Sequence, residues 1–213
     1  MPFPPEFDLE LRHRLKAILP GESAQKKLSR VQNYSLANLL ERNQLHRKSA
    51  VMILLWPELE TMLGLLIRRP SYPGVHSGQV AFPGGKKEEA DSDLLVTAIR
   101  ETQEEVGVLL KAESVAGALT PLYIPVSNFL VQPFVAILTG RPELQLNKNE
   151  VEAVMDFDLR AIIDPGNIRE KQMQTSSGML LTPYYELGGV EVWGATAMII
   201  SELAEIVRPL ISS

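Results

Sequence analysis

The sequence predicts an α/β chain in which a mixed β-sheet is sandwiched between helices. Three observations carry that expectation. Two adjoining apolar runs at 50–56 and 61–69 have strand composition, the period changes to helical spacing over 93–106, and further strand-like runs end in a second helical stretch near 194–210. With 213 residues, 45% hydrophobic and 22% charged, the chain suits one soluble domain and can bury a sizeable core.

Each element has its own signal. Phe7, Leu11, Leu15, Ile18 and Leu19 recur near helical spacing before Pro20-Gly21 stops the run, which gives an amphipathic N-terminal helix. From Glu22 to Lys48 the chain is polar apart from Leu36, Leu39 and Leu40, so residues 1–45 read as a helical extension ahead of a main domain at 46–213. AVMILLW and TMLGLLIRR flank the turn-like segment Pro57-Glu58-Leu59-Glu60 and form a hairpin. A Pro- and Gly-rich loop over 70–78 leads to a short strand, QVAF at 79–82, which Pro83-Gly84-Gly85 breaks. Leu94, Leu95, Ala98, Ile99, Thr102 and Val106 then share one helical arc, and Gly107 sits where a helix stops. Strands follow over 114–124, 129–139, 150–159 and 179–193.

Composition excludes several classes of function. There is no cysteine, so disulfides and thiolate metal sites are ruled out, and any metal must be held by oxygen or by one of three histidines. Hard cations become the expectation. The longest apolar run is far short of the ~20 residues of a membrane helix, and no secretory h-region precedes it. A cytoplasmic protein without a membrane partner is expected. The formal charge of -5 offers no general attraction to nucleic acid, so a phosphate-bearing partner must be held by local groups or by metal.

The chemistry concentrates in Arg100, Glu101, Glu104 and Glu105. The three glutamates stand at i, i+3 and i+4, so their carboxylates crowd one helix face. Glu105 also falls inside the apolar arc, where an unpaired carboxylate is partly desolvated. Taken alone, this reads as an acidic solvated face. Arg100 can pair with one carboxylate, whereas a divalent cation answers all three, and all-oxygen coordination is what Mg²⁺ or Mn²⁺ prefers. The preceding Gly84-Gly85 lets the backbone pass close to a ligand and can aim a carbonyl at a metal.

Gly85 to Asp91 followed by Arg100-Glu101-Thr102-Gln103-Glu104-Glu105-Val106-Gly107-Val108 resembles the Nudix box, Gx5Ex7REUxEExGU with U aliphatic. Thr102 replaces an aliphatic residue, Asp91 replaces the first glutamate, and Arg100 lies 15 residues from Gly85 where the pattern has 14. The lengthened loop, with Ile67-Arg68-Arg69 and HSGQVAFPGGK at 76–86, is similar to the coenzyme A pyrophosphatase branch, as are the segment at 121–135 and Asn149-Glu150-Val151.

The resemblance implies a single-domain α/β/α Nudix fold and a metal-dependent pyrophosphatase. In it Glu101, Glu104 and Glu105 bind Mg²⁺ or Mn²⁺, with the Gly84 carbonyl an extra ligand. Arg100 holds a helix carboxylate in place. The general base is Glu101 or Glu150, with Glu152 as fallback. Arg68, Arg69 and Lys86 are the nearest cations for the phosphates, and His76 lies in the branch motif. The implied substrate is coenzyme A or an acyl-CoA. Its rivals are another nucleoside diphosphate derivative such as ADP-ribose or NADH, and a non-catalytic nucleotide-sensing module. The N-terminal extension either packs in cis or contributes to a homodimer.

Overall fold

Strand β1 (Arg47–Glu58) is buried on both faces, and its alternation divides its side chains between two cores. Ala50, Met52, Leu54 and Trp56 meet Ala98 and Val106 of helix α4 (Leu94–Val106), whereas Ile53 and Leu55 face a cluster built around the C-terminal helix α6 (Gly194–Ile211). Each fully buried side chain of this size contributes about 1.5–3 kcal/mol relative to exposure. The helix–sheet–helix layering expected from the sequence follows from that alternation. The computed structural model describes residues 6–29, 35–42, 46–70, 78–175 and 178–211.

β1 pairs antiparallel with β2 (Thr61–Arg68) through the turn at Leu59-Glu60 and parallel with β7 (Phe129–Ile137), so the sheet is mixed. The strand path is β3 (Val80–Ala81), β2, β1, β7 and β5 (Val115–Ala118). Off this path β4 (Gly84–Lys86) joins β1, β6 (Leu122–Ile124) joins β7, and β8 (Ala153–Asp158) joins β2. A second antiparallel sheet holds β9 (Ile168–Thr175), β10 (Gly178–Leu187) and β11 (Val190–Trp193).

The N-terminal segment supplies α1 (Phe7–Lys16), α2 (Glu22–Gln25), a 3₁₀ turn (Lys26–Leu28) and α3 (Leu36–Arg42). Phe7, Leu11, Leu15 and Leu28 are buried in the same cluster as Ala197, Ile200, Leu203 and Val207 of α6. A buried carboxylate reinforces this joint. Glu202 accepts from the Gly21 and Thr120 backbone N–H groups, each at 3.2 Å, and from Gln25 Nε2 at 3.0 Å.

Two local expectations need correcting, and two elements were not expected. Ile18 is fully exposed rather than on the apolar arc, because α1 ends at Lys16. Pro83-Gly84-Gly85 does not end strand structure, since Gly84–Lys86 pairs with β1 in the register Val51↔Gly84 and Ala50↔Gly85. At φ +152°, with a Cβ that would fall 2.3 Å from the Ala50 carbonyl, Gly84 permits an approach closed to other residues. β9 lacks apolar alternation and is held by its ladder with β10. The short helix α5 (Leu159–Ile163) starts at Asp158, whose side chain accepts from the Arg160 N–H.

Candidate functional site

Helix α4 places the acidic side chains, and its ends are fixed locally. Asp93 accepts from the Val96 N–H at 2.9 Å to cap the first turn, and Gly107 adopts the left-handed conformation at φ 76° and donates its N–H to Gln103. Between these ends the helical period turns Ala98, Thr102, Glu105 and Val106 inward and leaves Glu104 outside. Thr102, standing at an aliphatic position, is buried without an orphaned hydroxyl because it donates to the Ala98 carbonyl at 2.6 Å.

Glu105 is only 1% exposed. Its Oε2 accepts from the Gly84 N–H at 2.8 Å, and its Oε1 lies 3.1 Å from Arg69 Nη2. Burial pushes the Glu105 carboxyl up to about 7; Arg69 and the Gly84 N–H oppose the rise, and Glu101 and Glu150 add to it. Glu101 is also pushed up, first by burial, against Arg100 and with Glu104 and Glu150 contributing. Glu150 therefore stands near enough to both to repel them. Gly85 gives Glu101 its place: a Cβ there would fall 2.4 Å from the Glu101 carboxyl carbon.

Arg100 binds these groups together. Its Nε and Nη2 donate to the two oxygens of Asp91, both at 3.0 Å, its Nη1 donates to Glu104 at 2.8 Å and lies 3.0 Å from Glu101, and Nη2 also reaches the Lys86 carbonyl. Asp91 is buried and accepts further from the Glu88 N–H and the Thr97 hydroxyl. The Arg100 hydrogen bonds hold its carboxyl well below the usual carboxylate range, against burial. Sequence comparison alone made Asp91 a departure from the box. The structure makes it the anchor of Arg100. The signal was a carboxylate in the loop near the position of the missing glutamate.

A cleft of about 300 Å³ adjoins this cluster. Its lining residues include Arg69, Gly84, Gly85 and Lys86 and the apolar side chains of Ile124, Val126, Phe129 and Trp193. The helix carboxylates are not among its lining residues; Arg69 and the Gly84-Gly85 backbone connect the two. The Arg47 guanidinium sits 4.0 Å from the Phe129 ring centroid. Phe129 escaped the sequence reading as a cleft residue, because an aromatic residue in a strand carries the same signal as core.

Not every residue singled out from sequence reaches the cleft. Arg68 lines a different depression together with Glu152 and Glu191, because neighbouring strand residues point to opposite faces. Glu152 goes with it. The Gly84 carbonyl, expected to face a metal, accepts from Arg69 Nη2 at 2.7 Å. Arg100, expected to pair with one carboxylate, serves three. His76 lies outside the described residues.

Comparison with known proteins agrees with this geometry. A family model described as the NUDIX domain matches residues 46–175. The chain belongs to the Nudix family. Proteins named Uncharacterized Nudix hydrolase NudL from Salmonella paratyphi B and Salmonella newport are 33% identical over 183 residues, covering 80% of this chain and 93% of each relative. Among solved structures, a MutT/nudix family protein from Enterococcus faecalis aligns with a TM-score of 0.52 at 18% identity, over 88% of this chain and 75% of the other. A NUDIX hydrolase from Alicyclobacillus acidocaldarius gives 0.50 at 20% identity, over 77% of this chain and 96% of the other. These two likenesses show the α/β Nudix fold. As a Nudix hydrolase the protein cleaves phosphoanhydride bonds of nucleoside diphosphate derivatives. Among the described residues no helix is long and apolar enough to cross a membrane.

Nudix hydrolases generally use divalent metal ions, and the donor chemistry here fits one. Glu101, Glu104 and Glu105 offer only oxygen, and Gly85 makes room for the Glu101 carboxylate where a Cβ would fill it. Among the described residues no three acidic or histidine side chains already converge as a cation site. Guanidinium groups of Arg69 and Arg100 pair with all three box carboxylates.

Proposed function

We propose that this Nudix hydrolase splits coenzyme A or an acyl-CoA at its pyrophosphate, giving 4'-phosphopantetheine or its acyl form and 3',5'-ADP. The observation that carries this reading is a cleft lined both by Arg69 and Lys86 and by the apolar side chains of Ile124, Val126, Phe129 and Trp193. Coenzyme A asks for that combination: cations for its phosphates, a flat apolar surface for adenine and a channel for the pantetheine arm.

In this reading Glu101, Glu104 and Glu105 hold Mg²⁺ or Mn²⁺, the Gly84 carbonyl being a further ligand once Arg69 leaves it. When bound, the ion neutralises charge on the pyrophosphate and acidifies a water. Arg100, anchored by Asp91, orients Glu101 and Glu104. A carboxylate near the attacking water takes its proton as the new P–O bond forms and the bridging P–O bond breaks. Glu101 and Glu150 both remain suited to that role, each adjoining the acidic cluster. Glu152 is less suited, lining the other depression with Arg68. Arg69 and Lys86 bind phosphate, and Arg68 is left out of that set. Residues 1–45 are in this reading an extension to the hydrolase domain at 46–213, with Phe7, Leu11, Leu15 and Leu28 packed into its core.

The test is hydrolysis of coenzyme A, dephospho-coenzyme A, ADP-ribose and NADH with Mg²⁺ or Mn²⁺, products identified by mass spectrometry in water enriched in oxygen-18. Coenzyme A is expected to yield the two named monoesters, one of them labelled. Equal cleavage of dephospho-coenzyme A would remove the coenzyme A reading in favour of a broader nucleoside diphosphate substrate. No cleavage of any member would favour a nucleotide-sensing module.

A further inference from the structure

We infer that Arg69 is a tethered stand-in for the metal ion: its guanidinium closes the cation site in the metal-free protein and passes to the substrate's phosphates when metal enters, so that metal and pyrophosphate bind cooperatively through this one side chain. A single nitrogen makes the case. Arg69 Nη2 donates to the Gly84 carbonyl at 2.7 Å and lies 3.1 Å from Glu105 Oε1, while the other oxygen of Glu105 is fixed by the Gly84 N–H. Gly84 and Glu105 thus form a ring of contacts that a cation completes, and the cation is arginine. Two of the oxygens expected to meet metal are satisfied by it.

A guanidinium and a divalent ion cannot share these oxygens, because both are positive and the site is poorly hydrated. Metal entry must therefore displace the side chain. The Arg69 backbone stays in place, donating its N–H to Gln79 at 3.0 Å, and the side chain already lines the cleft beside Lys86. The displaced guanidinium moves from one anionic partner to a place where the next one, a pyrophosphate, can take both of its donor edges. Linkage makes the effect reciprocal: whatever holds Arg69 in the cleft strengthens metal binding by the same factor that metal strengthens anion binding. Arg69 is in this sense a positioning residue for the metal as well as a phosphate ligand. Arg68, next to it in sequence, faces the other depression and provides the control.

The inference rests on the acidic helix being the cation site and is independent of which nucleotide is the substrate. Calorimetric titration of Mn²⁺ into the full chain reads it directly. Arg69→Gln is expected to bind Mn²⁺ about tenfold more tightly than the parent, since no charged hydrogen bond has to be broken first. Saturating methylenediphosphonate, a pyrophosphate mimic that is not hydrolysed, is expected to raise Mn²⁺ affinity by a larger factor in the parent than in Arg69→Gln. Arg68→Gln is expected to behave as the parent in both titrations. Unchanged or weaker Mn²⁺ binding by Arg69→Gln overturns the inference, as does an equal effect of the diphosphonate in the two chains. A crystal structure of the parent with Mn²⁺ tests it without any variant: Arg69 still bonded to both Gly84 and Glu105 beside the bound ion overturns it too. A parent chain that binds no Mn²⁺ would overturn the cation reading beneath it, whereas failure to cleave coenzyme A leaves these measurements standing.

Discussion

Raising the pH from about 4.5 to about 7 is expected to weaken the metal-free protein through Glu105. This carboxyl is almost completely buried, and its pKa rises from the ordinary 4.5 to about 7. The folded chain therefore keeps its proton over a range in which the unfolded chain has lost it. More protons are bound in the native state, so stability falls as pH rises through this window. At about 1.4 kcal/mol per pH unit, the span corresponds to a loss of about 3 kcal/mol, complete above pH 7 and absent below pH 4.5. Urea unfolding of the protein and of Glu105→Gln, from about pH 4 to about pH 9 with chelator present, isolates the effect, since other carboxylates largely cancel in the difference. The stability of the parent relative to Glu105→Gln should fall by about 3 kcal/mol across the window. A difference that stays flat, or that rises with pH, would refute the assignment of a strained buried carboxyl.

Three other substitutions address different parts of the fold. In Gly85→Ala the atoms nearest the new Cβ are those of the Glu101 carboxylate, the far end of a side chain, 2.4 Å away, so the protein should fold normally while turnover drops by about a hundredfold as that carboxylate is displaced; normal kcat would show that Glu101 needs no such placement. Asp91→Ala leaves the Arg100 guanidinium without its two-point anchor and should cost about 3–5 kcal/mol in urea unfolding, the usual penalty for breaking a buried pair. Glu202→Ala removes the acceptor of the Gly21 and Thr120 N–H groups, while Gln25 Nε2 keeps its bond to the Thr120 carbonyl, at about 1–3 kcal/mol for each donor left unsatisfied. Limited proteolysis should then cut faster near Gly21, and an unchanged digestion pattern would argue that Glu202 does not hold the N-terminal segment.

Much of this was legible along the chain because it depends on neighbours in sequence. Helix α4 could be read from its apolar arc, its Asp93 start and its Gly107 stop, and the crowding of Glu101, Glu104 and Glu105 follows from helical spacing. The hairpin of β1 and β2 and the C-terminal helix α6 were legible for the same reason. β9 was not: IREKQMQT carries no alternation, and its extended form is imposed by the ladder to β10. β4 was hidden by two glycines that usually mark a break and here admit a close approach to β1.

Sequence by itself determined which side chains carry the chemistry: three carboxylates and an arginine on one helix, a glycine pair ahead of them, and no sulfur ligand. It could not assign partners to charges, since that depends on groups brought together across the fold. Only the tertiary structure decided that Asp91 anchors Arg100, that Arg69 rather than Arg68 reaches Glu105, and that Arg69 takes the Gly84 carbonyl. Which arginine faces the cleft follows from strand alternation, but which face of the strand meets the helix is fixed by the packing of both cores around β1. Charge pairing in a desolvated site is a long-range consequence of that packing, and no local pattern encodes it.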